Sequence, residues 1–97
     1  MPVYGVANIT ISDRAAYAKY SAGFMEVFAR FKGTMLAVDV TPEVVEGEWT
    51  ATLVVLMSFP EADAFHDWFD SPAYQAIAEH RHAGSTGVIL LAKGLGG

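Results

Sequence analysis

The sequence contains no cysteine, few basic residues and no long apolar run. The absence of cysteine excludes disulfides, thiolate metal sites and cysteine nucleophiles. Six Lys and Arg against 11 Asp and Glu give a net charge of -5, which argues against nucleic-acid binding because that depends on clustered basic side chains. No stretch approaches the ~20 apolar residues of a membrane span, and the first residues show no secretory leader pattern. We therefore expect a soluble cytoplasmic protein without nucleic-acid or membrane partners.

Apolar residues are what the chain has in excess. It is 53% hydrophobic and 18% charged, and the charged share lies below the ~25% usual for soluble domains. Its 97 residues suit one domain with its own core. We predict a single domain over residues 1–97, of which about 94–97 form a loose tail. The surplus of apolar surface predicts self-association.

The first part of the chain predicts a strand, a helix and a second strand. Val3–Ile11 is rich in β-branched residues and lacks a helical period, which is typical of a strand. Ser12-Asp13 provides a helix N-cap, and Lys32-Gly33 provides a typical helix end. Met35–Val40 predicts a short edge strand.

The next part predicts a hairpin and the longest strand. Glu43–Glu48 contains Gly47 among ionisable residues, as hairpin connections commonly do. Trp49–Phe59 alternates in a way that leaves apolar residues on both faces. A strand of this kind is covered on both faces.

The last part predicts a broken helix and a final strand. Pro60 is predicted at the first position of a helix, and Ser71-Pro72 interrupts that helix because proline lacks the N–H and restricts the preceding residue. Ser71 then caps a new helix that Pro72 begins. Gly84–Gly87 predicts a turn, and Val88–Ala92 predicts the last strand.

The order β-α-β-β-α-β is typical of the ferredoxin-like α+β fold, a four-stranded antiparallel sheet with both helical regions on one face. Right-handed crossovers lead us to expect the first and third strands as central, parallel neighbours. The other sheet face also carries apolar residues and needs a cover. The simplest cover is the same face of a second copy, which predicts a homodimer through the open sheet face.

The segment Trp68–Ile77, WFDSPAYQAI, is similar to the W-x-x-S-P-x-Y-Q-x-I pattern of the bacterial domain-of-unknown-function 1330 family, and Arg81 follows at the family spacing. The resemblance covers nearly the whole chain. It implies the dimeric α+β barrel superfamily, whose relatives include cofactor-free monooxygenases, small-molecule isomerases and haem-binding proteins, and it implies that the activity of the family itself is not established. Leu53 and Ser58 stand where the family often has Arg and Glu. The sheet face or pocket of this chain is therefore expected to be more apolar than that of a typical member.

The three histidines are poorly spaced for a metal ion. His80 and His82 are two apart on a helix and point about 200° apart, while His66 lies on another helix. No zinc motif and no glycine-rich nucleotide motif is present. We predict no metal site and no cofactor. The alternative to a catalytic role is that all three histidines lie on the surface near helix ends.

Aromatic side chains with a polar atom, together with one arginine, form the candidate ligand site. Tyr74 and Arg81 are seven apart on one helix face, so they can bind a carboxylate or enolate oxygen together. The alternative for Arg81 is a structural ion pair with Glu46, Asp39 or the partner chain, and the alternative for the aromatic residues is core packing. The predicted ligand-binding residues are Tyr17, Trp49, Trp68, Ser71, Tyr74 and Arg81.

Three functions stay open at this point. The first is binding of a small organic molecule in a cleft between sheet and helices, with cofactor-free proton transfer or oxygenation in which His66 or His80 is the base and Arg81 a further catalytic group that stabilises an oxyanion with Tyr74. The second is a non-catalytic homodimeric binding or assembly module. The third is haem binding by one histidine, which rests on the superfamily resemblance alone.

Overall fold

The structure is a computed structural model that describes residues 1–95. Its elements are β1 (Val3–Ile11), α1 (Arg14–Phe28), β2 (Thr34–Asp39), β3 (Leu53–Phe59), α2 (Ala62–Phe69), α3 (Pro72–Gly84) and β4 (Ser85–Lys93). The four strands form one antiparallel sheet in the order β2-β3-β1-β4. This is the ferredoxin-like α+β fold, so the predicted fold class is confirmed. None of the three helices is long and apolar enough to cross a membrane within the described range.

The central strands are β1 and β3, as predicted, but they run antiparallel and not parallel. Val3 lies opposite Phe59, and Ile9 lies opposite Leu53. The crossover through α1 makes β2 run in the direction of β1, and the connection that follows reverses the chain into β3. The prediction was wrong because it assigned to β3 the direction that the first crossover gives to β2.

Helix α1 begins where the sequence predicts and ends earlier. The Asp13 carboxylate accepts the N–H groups of Ala15 and Ala16 at 3.0 and 3.2 Å, which satisfies two backbone donors of the first turn. The helix ends at Phe28 instead of Lys32-Gly33. Gly33 lies so close to the rings of Phe28 and Phe59 that a Cβ would not fit. The chain has therefore left the helix before Gly33 in order to reach the sheet.

Strand β3 begins at Leu53, four residues later than predicted. The Thr52 N–H still donates to the Ile9 carbonyl at 2.8 Å, but the preceding residues leave the ladder. The Trp49 indole instead lies over the outer sheet face and donates to Asn8 Oδ1 at 2.9 Å. The irregular connection contains Gly47 with φ of 88°, a conformation that only glycine adopts at little cost.

The predicted break of the second helical region at Ser71-Pro72 is confirmed. Ser71 Oγ accepts the Tyr74 N–H at 3.1 Å and donates to the Trp68 carbonyl at 2.7 Å. This single hydroxyl therefore closes α2 and caps α3, which begins at Pro72.

Two boundaries near these helices differ from the prediction. Pro60 precedes α2 and is not its first residue, because Glu61 is the N-cap, although its side chain makes no capping hydrogen bond. Strand β4 begins at Ser85, where a turn over 84–87 was predicted. The Gly84 carbonyl accepts the N–H groups of Ser12 and Asp13 at 2.9 and 3.1 Å. These bonds fix the end of α3 beside β1, so β4 can start pairing at once.

Gly94, the first residue of the predicted loose tail, is hydrogen-bonded to the N-terminal segment. Lys93 belongs to β4 opposite Val3, and the Gly94 N–H donates to the Pro2 carbonyl at 2.8 Å. Leu95 is exposed. Residues 96–97 of the predicted tail lie outside the described residues.

The core lies between the helices and one sheet face. The odd-numbered residues of β1 from Val3 to Ile9 are buried there, while the even-numbered ones face outward. The Trp68 ring lies at the centre of an aromatic cluster, with neighbouring ring centroids 4.4 to 5.9 Å away. Those neighbours are Phe24, Phe28, Phe59, Phe65, Phe69 and Tyr74.

The outer sheet face is apolar and has no cover within residues 1–95. Leu36, Val88 and Leu90 are each more than half exposed. Val54 and Leu56 lie beside them on β3 and are half-buried. Residues 53 and 58 of β3 lie on opposite faces, so the Arg and Glu that the family often has there would not share one surface.

Candidate functional site

A cavity of about 200 Å³ lies between the helices and the inner sheet face. Its lining side chains at the rim, Ser21 and Met25 of α1 and Val38 of β2, are exposed. The cavity therefore opens between α1 and the edge strand. The full lining comprises Ala7, Ile9, Tyr20, Ser21, Phe24, Met25, Met35, Val38, Val55, Met57, Trp68, Tyr74, Arg81 and Ile89.

The sheet contributes only apolar side chains to this cavity. Alternation along the central strands places Ala7 and Ile9 of β1 on the inner face. On β2, Met35 and Val38 both line the cavity although they are three apart. A register shift between Met35 and Ala37 makes this possible, because the extra residue of a bulge changes which side chains face inward.

The helices contribute the polar atoms. The hydroxyls of Tyr20 on α1 and Tyr74 on α3 are buried and lie 2.8 Å apart in a hydrogen bond. The Arg81 side chain lies two turns beyond Tyr74 on the same helix face. Its Cζ is 6.0 Å from the Tyr20 ring centroid, the outer limit of a cation–π contact. These three groups and the Trp68 indole form what we call the helix wall of the cavity.

Arg81 has no acidic partner within residues 1–95. The ion pairs found there are Arg30 with Glu26 and His66 with Asp70, so the alternative of a structural pair with Glu46 or Asp39 is not realised in this chain. Arg81 Nη2 instead lies 3.2 Å from His82 Nε2. Since arginine only donates, His82 is the acceptor in this bond.

Two buried nitrogens of the helix wall lack a hydrogen-bond partner, Arg81 Nε and Trp68 Nε1. Trp68 is 2% exposed, so water does not satisfy its indole N–H from the surface. Buried polar groups are nearly always paired in folded proteins, and each exception requires an explanation. Both exceptions belong to side chains that line the same cavity.

Burial raises the pKa of the Tyr20 hydroxyl well above its usual range, and the hydrogen-bonded Tyr74 raises it further, while the Arg81 cation opposes the shift. Burial also raises the pKa of Tyr17, with the same opposing effect of Arg81. Both phenols are therefore neutral at physiological pH and serve as hydrogen-bonding groups, not as bases.

Three of the predicted site residues, Trp68, Tyr74 and Arg81, come together at the cavity. Tyr17 lies in an adjoining open groove that also contains Arg14. The Ser71 hydroxyl is engaged in a hydrogen bond as the N-cap of α3. Trp49 lies on the opposite side of the sheet.

Tyr20 is one of the aromatic residues with a polar atom that suggest a small pocket in the sequence, but it was not among the predicted ligand-binding residues, although it provides half of the hydroxyl pair. Its signal was available, because Tyr20 follows Tyr17 at helical spacing in the apolar stripe of α1. Met25, Met35 and Met57 also line the cavity, and the sequence did not predict them there. Their contribution depends on which strand faces inward and on the β2 register shift, which composition does not reveal.

The histidines do not line the cavity. His66 and His80 are exposed, and His66 Nδ1 lies 3.6 Å from Asp70 Oδ2 on its own helix. In the part of the chain that the structure describes, no three His, Asp or Glu side chains are grouped as metal ligands would be. A catalytic role for His66 or His80 stays a prediction.

The fold is shared by several solved structures. A protein of unknown function from Rhodopseudomonas palustris, RPA0582, matches with a TM-score of 0.81 and 20% identity, over 99% of this chain and 84% of that one. SnoaB, a cofactor-independent oxygenase from Streptomyces nogalater, matches with a TM-score of 0.68 and 20% identity, over 99% and 95% of the two chains. A dimeric ferredoxin-like protein of unknown function from Bacteroides fragilis matches with a TM-score of 0.65 and 11% identity, over 95% of each chain.

No curated protein sequence matches this chain significantly. The family described as Domain of unknown function (DUF1330) matches residues 2–95. That range contains every element from β1 to β4 and all residues of the cavity lining. The chain belongs to the DUF1330 family.

Proposed function

We propose that this protein is a homodimer that binds a small, mainly apolar organic molecule in the cavity between its helices and the inner sheet face. The observation that carries this proposal is the lining itself. An apolar sheet surface faces a helix wall with a hydroxyl pair, an arginine and an unpaired indole N–H. Apolar pockets with a few convergent polar groups are the usual form of small-molecule sites.

The volume limits the size of the ligand. A dry apolar cavity of about 150 Å³ holds a molecule of the size of benzene, and this cavity measures about 200 Å³. A single-ring compound or a short-chain compound fits, whereas a fused polycyclic compound requires that Met25 and Val38 move apart at the rim.

Binding is better supported than proton transfer, because the cavity lining contains no base. Tyr20 is neutral at physiological pH, since burial and Tyr74 raise its pKa, and Arg81 is cationic. No carboxylate or imidazole belongs to the lining. Either predicted base, His66 or His80, would have to reach the ligand from the protein surface.

Cofactor-independent oxygenation is the second candidate, and the fold shared with SnoaB favours it. Such a reaction suits a substrate that is itself acidic. Its ionised carbon forms a bond to dioxygen, which is reduced to a carbon-bound peroxide that takes up the released proton, so no external reductant is required. An oxygen electrode tests this with each compound that binds. Absence of oxygen uptake with every bound compound would leave the protein a binding module.

Haem does not fit these residues. No histidine lines the cavity, and a porphyrin is far larger than the space that benzene-sized ligands occupy. A Soret shift upon haem addition that disappears in His66→Ala or His80→Ala would contradict this conclusion.

The outer sheet face supports the homodimer. Leu36, Val88 and Leu90 are exposed there, and large contiguous apolar patches are rare on soluble monomers. A structural neighbour with the same fold is described as dimeric. We place this homodimer in the cytoplasm and treat residues 1–97 as one domain, as the sequence predicts. Light scattering is expected to give twice the chain mass, and a monomer at micromolar concentration would contradict the proposal.

A thermal-shift series tests the cavity, since a ligand that binds the folded state raises its stability. The panel comprises single-ring acids, phenols and ketones and short-chain acids. Met25→Trp places an indole at the rim and is expected to abolish every shift. Glu26→Trp is the matched control, because Glu26 is exposed on the same helix and pairs only with Arg30. If Met25→Trp leaves all shifts unchanged, the ligands bind elsewhere.

A further inference from the structure

The helix wall of the cavity offers hydrogen-bond donors and a positive charge, and no negative group. Arg81 contributes its guanidinium group and the tyrosine pair its hydroxyls, and the Trp68 indole, whose buried N–H has no partner within residues 1–95, packs against Tyr74 beside them. The lining side chains include no Asp or Glu. A neutral ligand of the same shape would bring no counter-charge to Arg81, which has no acidic partner within residues 1–95.

The internal hydrogen bonds leave most of this donor capacity unused. In the Tyr20–Tyr74 bond one hydroxyl hydrogen is donated to the other oxygen, so one O–H of the pair stays available. Within residues 1–95, Arg81 Nε and Trp68 Nε1 have no partner. The hydrogen bond that the Arg81 side chain makes there joins Nη2 to His82. Unpaired buried donors are costly by themselves.

The polar groups of the lining all lie on the helix side of the cavity, where Phe24 and Met25 of α1 add apolar surface. Tyr20, Tyr74, Arg81 and Trp68 all come from helices, whereas every lining residue of the sheet is apolar. A molecule that satisfies both walls has an acceptor group at one end and a hydrocarbon body.

We infer that the ligand is the anion of a small organic acid, a carboxylate or an ionised phenol or enol, with its oxygens against Arg81 and the tyrosine pair and its hydrocarbon body on the sheet. This inference rests on the proposed function and narrows it to one charge state. Hydrogen bonds from charged donors to anionic oxygens are the strong class of such bonds, and an apolar surrounding strengthens them further.

Benzoate and benzamide form the matched pair of probes, because they share shape and differ in charge. Isothermal titration is expected to show benzoate binding about tenfold more tightly than benzamide, the factor that one charge-assisted hydrogen bond readily provides.

Arg81→Met keeps the length of the side chain and removes the charge. The preference for benzoate is expected to disappear, while Arg30→Met, which removes an exposed arginine paired with Glu26, is expected to preserve it. If the wild type binds the two probes with equal affinity and Met25→Trp abolishes the binding of both, the inference is overturned. The proposed function then still holds. If no compound of the panel shows binding that Met25→Trp abolishes, both the inference and the proposed function are overturned.

A spectroscopic test requires no variant at Arg81. The 4-nitrophenolate anion absorbs visible light and the neutral phenol does not. At a pH where the free compound is mostly neutral, addition of the protein is expected to increase the anion absorbance, because Arg81 and the donors favour the ionised form. A decrease of the anion absorbance would show that the cavity selects the neutral acid, contrary to the inference.

Discussion

The two faces of the sheet have similar apolar residues and different surroundings, and the two tryptophans mark the difference. Trp68 packs on the inner side at 2% exposure with six aromatic neighbours. Trp49 lies on the outer side with one hydrogen bond, to Asn8. The alternation of apolar residues along the strands therefore identifies sheet faces that must be covered. It does not show which of these faces the helices of the same chain cover.

The inner and outer sheet faces also differ in the polar groups that lie near them. On the inner side the helices bring a hydroxyl pair and a cation against apolar strands. On the outer side exposed Val88 and Leu90 lie together without a neighbouring charge on their own strand segment VILLA. The first arrangement suits a small ligand, and the second suits another apolar surface.

The largest expected effect comes from the inner tryptophan. Trp68→Ala is expected to lower the free energy of unfolding by about 3–5 kcal/mol, as for other large buried aromatic residues. Trp49→Ala, its counterpart on the outer face, is expected to cost about 1 kcal/mol from one lost hydrogen bond. Urea denaturation at a fixed protein concentration measures both, and equal costs would remove the distinction between the faces.

Leu90→Glu is expected to dissociate the proposed homodimer while the chain stays folded. Leu90 is 54% exposed in the single chain, so a carboxylate there is harmless until a second copy buries it. An unpaired buried charge costs about 3 kcal/mol, and each of the two copies contributes one, so the dissociation constant is expected to rise about 10⁴-fold. Ala76→Glu, at an exposed position of α3, is the control. A Leu90→Glu protein that remains dimeric would locate the interface elsewhere.

Ser71→Ala tests the bend that joins α2 to α3. The substitution removes the bond from the Tyr74 N–H and the bond to the Trp68 carbonyl, and the loss of an N-cap costs about 1 kcal/mol. Because both partners line the cavity, the affinity for benzoate is expected to fall together with stability. Asp13→Ala removes the cap of α1 and serves as control, with a similar loss of stability and unchanged affinity.

The smallest expected effect is a dependence of stability on alkaline pH. The folded state raises the pKa of Tyr20 above that of the unfolded chain, so the unfolded state loses its proton first. Stability from this source is complete below about pH 10, the usual tyrosine pKa, and falls as the pH rises further. Tyr20→Phe is expected to reduce this fall in urea denaturation series at increasing pH. An unchanged slope would show that Tyr20 does not titrate differently in the two states.

The sequence predicted the fold class, the limits of β1, the break at Ser71-Pro72 and the meeting of Trp68, Tyr74 and Arg81. These features depend on local chemistry, namely β-branched runs, capping hydroxyls and helical spacing. The direction of β3, the early end of α1 and the late start of β3 were not predicted. They depend on contacts between distant segments, such as Gly33 against Phe59 and Thr52 against Ile9.

The methionines provide the most direct test of the cavity as the ligand site. Met25, Met35 and Met57 line it from α1, β2 and β3, whereas the Trp49 indole reports on the outer face. In a protein labelled with 13C at the methionine methyls and 15N in tryptophan, benzoate is expected to shift all three methyl signals and to leave the Trp49 indole signal in place. Saturable binding of benzoate with the three methyl signals unmoved would contradict the account.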